Sequence, residues 1–128
     1  MDSASTPLFQ QVADLVADTI VDGSLAEGER APSTNELAAF HAINPATARN
    51  GLNVLAEAGI LRKQRGIGMF VAMGARERIL TQRRAAFAAD YLVPLVDEAA
   101  KLDMTLGELG LVLHKVCLLY TSDAADDT

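Results

Sequence analysis

Cysteine is nearly absent from this chain of 128 residues, where Cys117 is the only one. A lone cysteine cannot form an intrachain disulfide, so we expect a protein of the reducing cytoplasm. No uninterrupted apolar run approaches the roughly 18 residues of a membrane span. The N-terminus is polar and acidic, unlike a secretory signal. These absences exclude a disulfide-stapled scaffold and predict that the protein has no membrane partner.

Residues that enzymes use are also scarce. The two histidines, His41 and His114, lie far apart in the sequence, and there is no second cysteine to complete a metal site. The chain contains no C-x-x-C, H-E-x-x-H or G-x-S-x-G motif. We therefore expect a protein that is not an enzyme and that binds neither a metal ion nor a cofactor.

Positive charge is in the minority and is unevenly distributed. The net charge is −6, which taken alone disfavours nucleic acid as a partner, because the usual footprint is a basic domain. Residues 42–68 nevertheless contain four basic residues and one acidic residue, a local net charge of +3. This segment is therefore the place where contacts with phosphate are expected.

Two helices with strong start signals stand near this basic segment. Ser33 and Glu36 have the spacing of a capping box, which predicts the start of a short helix. Asn44 and Pro45 suit the cap and the first position of a second helix, which Gly59 ends. Two helices joined by about four residues are typical of a helix-turn-helix.

The flanking segments extend this motif into a small domain. Apolar residues at helical spacing from Leu8 onward predict an earlier helix, with Thr6 as its cap. Residues 60–64 and 69–72 are predicted strands, and residues 65–68 between them hold two glycines suited to a hairpin loop. A hairpin directly after a helix-turn-helix is a wing, so the predicted fold is mainly α with a small β-wing.

Residues 75–116 predict a helical appendage. An alanine-rich helix runs over residues 75–102 and is kinked about one turn before Pro94. Thr105 and Glu108 form a second capping box that opens another helix. Two amphipathic helices of this size cannot bury their apolar faces well alone, so we expect them to pair with the same helices of a second chain. The candidate dimerisation residues are Leu80, Phe87, Tyr91, Leu95, Leu102, Leu109 and Leu113.

The last residues, 117–128, do not fit this pattern. Leu118, Leu119 and Tyr120 would continue an apolar face, but the string that follows them is polar and acidic. This end resembles translated read-through of a sequencing adapter, so we interpret it as a non-native or structureless tail and leave it out of functional reasoning.

The helix-turn-helix and the wing place several side chains where DNA contacts are expected. The first turns of the second helix approach base edges in a major groove, and Arg49 projects there. Basic wing residues supply the sequence-independent attraction to phosphate, and the N-terminus of the preceding helix also suits an anion. The candidate DNA-binding residues are Ser33, Asn35, Thr47, Arg49, Asn50, Arg62, Lys63 and Arg65, with Asn53 as a further candidate.

Several motifs in fixed order resemble a known family. They are Pro7-Leu8-Phe9-x-Gln11-Val12, Gly23-x-Leu25-x-x-Gly28-Glu29, Pro32-Ser33-x-x-Glu36-Leu37-Ala38, Asn44-Pro45-Ala46-Thr47, and Gly59-Ile60-Leu61 followed by Gly66-x-Gly68-Met69-Phe70-Val71. Over about residues 7–72 the chain resembles the GntR-type winged helix-turn-helix. The short helical appendage is similar to that of the YtrA-type branch of this family.

The resemblance implies DNA contacts at Asn35, Thr47, Arg49, Arg65 and Gly66. It also implies dimerisation through the appendage and a place for the gene beside transporter genes. The family often carries arginine where Asn35 stands, and similar relatives carry a basic residue where the chain has alanine at position 42.

These observations support one main hypothesis and one alternative. The main hypothesis is a homodimeric transcription regulator that binds a pseudo-palindromic operator in double-stranded DNA, such as that of a transporter operon. The expected mode of regulation is repression. A small-molecule effector is compatible with it, and Arg83, Arg84 and Tyr91 are its loose candidates. The alternative is a winged-helix protein-interaction module that dimerises without specific DNA binding. The predicted domains are residues 1–74 for DNA, 75–116 for dimerisation and 117–128 as the tail.

Overall fold

The computed structural model of the chain describes residues 6–126, with side chains described over residues 6–120. The elements are α1 (Leu8–Val21), α2 (Thr34–His41), α3 (Pro45–Glu57), β1 (Leu61–Gln64), β2 (Gly68–Val71), α4 (Ala75–Phe87), a π-helical turn (Ala88–Leu92), α5 (Val93–Lys101) and α6 (Leu106–Asp126). The predicted class, mainly α with a small β-wing, is confirmed.

The chain divides into two compact units, Met1–Ala85 and Ala86–Thr128. The boundary therefore lies inside α4, whereas the sequence places it at residue 74. Glu27 explains part of this difference, because its carboxylate accepts hydrogen bonds from the backbone N–H groups of Gly74 (2.9 Å) and Arg76 (3.2 Å). These hydrogen bonds hold the pKa of Glu27 below its ordinary value. The first turn of α4 thus belongs to the first unit.

The core of the first unit lies between α1, α2, α3 and the hairpin. Its buried side chains include Val12, Val16, Ile20, Leu37, Leu52, Leu55, Ile60, Val71 and Ile79. Helices α1 and α3 come especially close at Gly51, where an added Cβ would lie 2.8 Å from Cγ1 of Val12 and 2.9 Å from the carbonyl oxygen of Phe9. Helices α1 and α3 can therefore pack this closely only because residue 51 has no side chain.

The predicted caps of the helix-turn-helix are confirmed. The Ser33 hydroxyl accepts the N–H of Glu36 at 3.1 Å, and the Glu36 carboxylate accepts the N–H of Ser33 at 2.9 Å. Oδ1 of Asn44 accepts the N–H of Ala46 at 2.8 Å, and Pro45 holds the first position of α3. These caps fix the points at which α2 and α3 begin.

The predicted cap of α1 is wrong by one residue. Pro7 occupies the cap position with extended dihedrals, so the helix begins at Leu8 rather than at Pro7. Thr6 contributes its carbonyl oxygen instead of its hydroxyl, accepting a hydrogen bond from the side chain of Gln11 at 2.9 Å.

The wing is a hairpin with a partly paired outer edge. Strands β1 and β2 are antiparallel, with Leu61 opposite Val71 and Gln64 opposite Gly68. The free edge of β2 pairs with the segment that follows α1: the N–H of Ala31 donates to the carbonyl of Met69 at 2.8 Å. Strand β2 is therefore paired along both of its edges, with β1 on one side and with this segment on the other.

The second unit is built from helices that bury little. The irregularity expected before Pro94 takes the form of the π-helical turn, Ala88–Leu92. The second capping box is confirmed, because Thr105 and Glu108 exchange hydrogen bonds of 2.9 and 3.1 Å. In the part of the chain that the structure describes, no helix is both long and apolar enough to cross a membrane.

The predicted structureless tail is corrected for most of its length. Helix α6 does not end near Val116 but continues to Asp126. No glycine or proline follows Gly110, so the sequence contains no strong helix stop in this stretch. The final two positions of the tail, 127 and 128, lie outside the described residues.

Candidate nucleic-acid interface

Helix α3 presents one exposed polar face. Its opposite side is buried in the core through Ala48, Gly51, Leu52 and Leu55. The exposed positions are three and four residues apart, so they lie on a single face. Apart from Pro45 at the start of the helix, they are Ala46, Arg49, Asn50, Asn53 and Glu57. The predicted pair Arg49 and Asn50 is therefore brought together, and Asn53 stands beside it.

Thr47 lies at the margin of this face. It is half-buried, whereas its neighbours Ala46 and Arg49 are exposed. Successive residues of an α-helix are about 100° apart, so the Thr47 side chain is turned away from the centre of the polar face. Its side chain therefore lies at the edge of the polar face rather than at its centre.

The two faces of the wing separate residues that are adjacent in sequence. Lys63 lies opposite Met69 and shares its face with the buried side chains of Leu61 and Val71. Arg62 lies opposite Phe70 on the other face, because side chains alternate along a strand. Arg62 and Lys63 are both exposed, but they point to opposite sides of the hairpin.

Arg65 and Gly66 form the tip of the wing. Both are exposed, and Gly66 has a φ of +79°, a conformation that favours glycine. Nothing lies within 4 Å of the point where a Cβ at Gly66 would be. The reason for glycine here is thus the turn itself, and the open space leaves the tip accessible to a ligand.

The start of α2 adjoins the wing. A cleft of about 290 Å³ is lined by Pro32, Ser33, Thr34, Asn35, Leu52, Gly68 and Met69. It brings the predicted residues Ser33 and Asn35 next to the first residues of β2 and to α3. The Ser33 oxygen already accepts the cap hydrogen bond, but its hydroxyl proton is free to be donated to a phosphate.

Some basic residues of the first unit are bonded within the fold, and others form no ion pair. On α4, Arg83 forms an ion pair of 2.7 Å with Asp18, and Nε of Arg76 donates to the carbonyl of Val21 at 2.9 Å. Among the described residues, the predicted DNA-binding cations form no ion pair: Arg49, Arg62, Lys63 and Arg65. The cations of α3 and the wing are therefore available to an external anion.

Two of the three residues suggested for binding a small-molecule effector already have contacts within the chain. Arg83 forms the ion pair with Asp18, and the ring of Tyr91 packs against that of Phe87 with centroids 5.6 Å apart. Within the described residues, no group of three or more His, Cys, Asp or Glu side chains is placed to hold a metal ion.

The candidate dimerisation residues are mostly exposed. Phe87, Tyr91, Leu95, Leu102 and Leu113 are between 39 and 63% exposed. Leu109 is half-buried in the second unit, and Leu80 is half-buried in the first. Over residues 86–120, Ala99 is the only buried side chain. The second unit therefore lacks a hydrophobic core of its own within the described chain.

Arg30 was not expected from the sequence to lie near the DNA-binding residues. It follows α1 in a segment with no strand signal, and it reaches the wing only through its pairing with Phe70, forty residues later in the chain. Local patterns do not reveal pairings of this kind, because they depend on the tertiary fold.

A helix-turn-helix with an exposed polar second helix and a cationic wing defines a class of proteins, the winged helix-turn-helix DNA-binding proteins. Comparison with protein families agrees: the model of the bacterial regulatory proteins of the gntR family matches residues 8–71. The chain belongs to the GntR family, whose members are DNA-binding transcription regulators and not enzymes.

Relatives of similar length extend the likeness beyond the wing. The HTH-type transcriptional regulator YhcF of Bacillus subtilis is 27% identical over 106 residues, covering 83% of this chain and 86% of that protein. The HTH-type transcriptional repressor YtrA of the same organism is 26% identical over 96 residues, covering 75% and 73%. The resemblance to the GntR family and to YtrA is thus confirmed.

Solved structures show the same architecture. A GntR-family protein from Bacteroides thetaiotaomicron has a TM-score of 0.77 and 25% identity, covering 89% of this chain and 99% of that one. The DNA-binding domain of AraR, solved in complex with the operator ORX1, has a TM-score of 0.52 and 26% identity, covering 56% of this chain and 87% of that domain.

Proposed function

We propose that this GntR-family regulator is a homodimeric repressor that binds a pseudo-palindromic operator in double-stranded DNA. One observation carries the proposal. The exposed polar face of α3 and the unpaired cations of the wing belong to the same unit, whereas Arg76 and Arg83 on α4 are used within the fold. Binding to a DNA duplex requires cations for its phosphates and polar side chains for its base edges.

In this complex, α3 enters the major groove and the wing follows the neighbouring backbone or minor groove. Arg49 is suited to guanine, since its guanidinium can donate to O6 and N7 together. Asn50 and Asn53 can pair with adenine edges, and Thr47 meets a phosphate or a thymine methyl at the helix margin. Lys63 and Arg65 supply phosphate contacts that carry no sequence preference.

Dimerisation is supported by the second unit. Helix α6 carries a stripe of apolar residues at spacings of three and four: Leu109, Val112, Leu113, Val116 and Tyr120. Most of this stripe is exposed in the single chain. Pairing with the same stripe of a second copy would bury it and would relate the two DNA-binding units by a twofold axis. The two α3 helices would then reach successive major grooves, about 34 Å apart.

Repression is supported by the likeness to YtrA, which is named a transcriptional repressor. The AraR domain, solved on its operator, supports double-stranded DNA as the partner. The proposed location is the cytoplasm, where bacterial operators lie. A transporter operon as the target rests on the family resemblance alone. A small-molecule effector would act by changing the angle between the two DNA-binding units.

Fluorescence anisotropy tests this function. The full chain is titrated against labelled duplex from upstream of its own gene and against a scrambled duplex, over a series of salt concentrations. Sedimentation analysis of the same sample gives its oligomeric state. We expect a dimer that prefers the upstream duplex, with an affinity that falls steeply as salt increases.

The other outcomes are equally informative. A folded dimer that binds neither duplex would contradict the proposal and favour the protein-interaction module. Equal binding to both duplexes would support DNA binding and contradict operator specificity. Repression is checked separately, by adding the protein to transcription reactions that use the upstream DNA as template, where the transcript yield is expected to fall.

A further inference from the structure

The backbone of Arg30 is fixed to the wing. It pairs with Phe70 across the free edge of β2. The neighbouring hydrogen bonds are short: Ala31 N–H to Met69 at 2.8 Å, Val71 N–H to Glu29 at 2.9 Å and Gly28 N–H to Val71 at 2.8 Å. The backbone of Arg30 therefore lies beside β2 as an added third strand would.

The side chain of Arg30 lies over Gly68. A Cβ at position 68 would be 3.0 Å from Nε and 3.4 Å from Nη2 of the guanidinium. Arg30, Phe70 and Arg62 are cross-strand neighbours, so they share one face of the wing. Two strand spacings separate the backbones of the two arginines, about 10 Å. This face thus carries a cation on either side of Phe70.

The guanidinium of Arg30 is not neutralised by a direct ion pair within the described residues. The nearby carboxylate of Glu29 accepts the backbone N–H of Ala26, and that of Glu36 accepts the N–H of Ser33. The pKa of Glu36 is lowered mainly by these Ser33 hydrogen bonds and in smaller part by the charge of Arg30. The guanidinium is thus close to the start of α2.

The first turn of α2 contains no basic residue of its own, since Ser33 is followed by Thr34, Asn35 and Glu36. Gly68 lines the same cleft as Ser33 and Asn35. We propose that Arg30 is a further phosphate-binding residue of the DNA interface, holding a backbone phosphate at the junction of the wing and α2. This inference rests on the proposed function, because it assigns one more contact to the same interface.

Three variants of the full chain test the inference: Arg30→Gln, Arg30→Lys and the control Arg84→Gln. Arg84 is exposed on α4 and has no role in the proposed interface. Each variant is titrated by anisotropy against the upstream and scrambled duplexes over the same salt series as the wild type. Thermal unfolding monitored by circular dichroism checks that each variant is folded.

We expect Arg30→Gln to weaken binding to both duplexes by the same factor. The slope of log affinity against log salt should become shallower by about 0.9 for each protomer, because one phosphate contact is lost. Arg30→Lys should keep the wild-type slope, since it keeps the charge, and Arg84→Gln should keep both slope and affinity.

Two results would overturn the inference while leaving the proposed function intact. One is a salt slope for Arg30→Gln equal to that of the wild type, provided that the wild type binds the upstream duplex. The other is an equal loss of affinity in Arg30→Gln and Arg30→Lys with no change of slope, which would mean that Arg30 only supports the wing. If Arg30→Gln does not fold, the uncharged variant Arg30→Met takes its place, and a wild-type salt slope in that variant overturns the inference. Failure of the wild type to bind DNA would remove both proposals.

Discussion

Arg49 is the side chain on which the proposed sequence discrimination most depends. It stands on the exposed face of α3, has no ion pair among the described residues, and is flanked there by Asn50 and Asn53. Its position could be predicted from the sequence, because the cap at Asn44 sets the start of the helix and thereby the direction of every side chain along it. The pairing of Arg30 with Phe70 could not be predicted, because two residues forty positions apart leave no local pattern in the sequence.

Replacing Arg49 should therefore reduce discrimination between sequences. We expect Arg49→Ala to cost about 1–3 kcal/mol in binding to the upstream duplex and to relax the preference at one base position. Competition binding with single-base variants of the upstream duplex measures this. Arg84→Ala on α4 is the matched control. An unchanged base preference in Arg49→Ala would show that α3 is docked differently.

Lys63 should behave differently from Arg49, because we propose that it contacts phosphate rather than bases. We expect Lys63→Ala to weaken binding to the upstream and scrambled duplexes alike and to reduce the salt slope by about one unit. The slope over a salt series is the measurement. A selective loss on the upstream duplex alone would contradict the assignment of Lys63 to the backbone.

At the scale of elements, the packing of α1 on α3 depends on Gly51. A methyl group there would meet Cγ1 of Val12 and the carbonyl of Phe9. We expect Gly51→Ala to lower the free energy of unfolding by about 1–3 kcal/mol, the usual cost of overpacking. Chemical denaturation measures it. The control is Gly110→Ala in α6, where nothing lies within 4 Å and alanine should stabilise the helix.

The close approach at Gly51 could not be predicted from the sequence. In a helical sequence pattern, a glycine indicates either a less stable position or the end of the helix. Only the tertiary fold reveals that a neighbouring helix occupies the space where its side chain would be. The capping box at Ser33 and Glu36 is the opposite case, since its two residues satisfy one another within a single turn. Contacts of short range are therefore those that the sequence predicted best.

The capping box also predicts a pH dependence. Hydrogen bonds from Ser33 hold the pKa of Glu36 below its ordinary value of 4.5. A lowered folded-state pKa stabilises the protein above the unfolded-state value, and that stabilisation is lost as the pH falls through the folded-state pKa. We expect Glu36→Gln to lose less stability than the wild type on acidification from about pH 6 to about pH 3. Thermal unfolding across this range is the check, and parallel pH profiles for the two proteins would contradict it.

For the whole molecule, the second unit is the part for which we propose a partner. Over residues 86–120, Ala99 is its only buried side chain. Ala88, Met104 and Leu109 are half-buried, and its other apolar side chains are exposed. The sequence predicted helices and a face to bury, but it placed the end of the last helix too early. The apolar stripe continues through Tyr120, because α6 meets no glycine or proline after Gly110.

Placing a charge on this stripe should separate the protomers. We expect Leu113→Glu to shift the protein from dimer to monomer, because an unpaired carboxylate cannot be buried cheaply in an apolar interface. His114→Glu adds the same group about 100° further round the helix and should leave the dimer intact. Sedimentation velocity distinguishes the two. A dimeric Leu113→Glu protein would mean that α6 is not the dimer interface.

The most direct test of the DNA-binding dimer is a hydroxyl-radical footprint of the wild-type protein on the DNA upstream of its gene. We expect two protected half-sites, related by twofold symmetry and centred about one helical turn apart, because in the proposed dimer the two α3 helices would reach successive major grooves. A footprint with a single half-site would contradict the dimeric arrangement. The absence of protection by a protein shown to be a folded dimer would contradict operator binding itself.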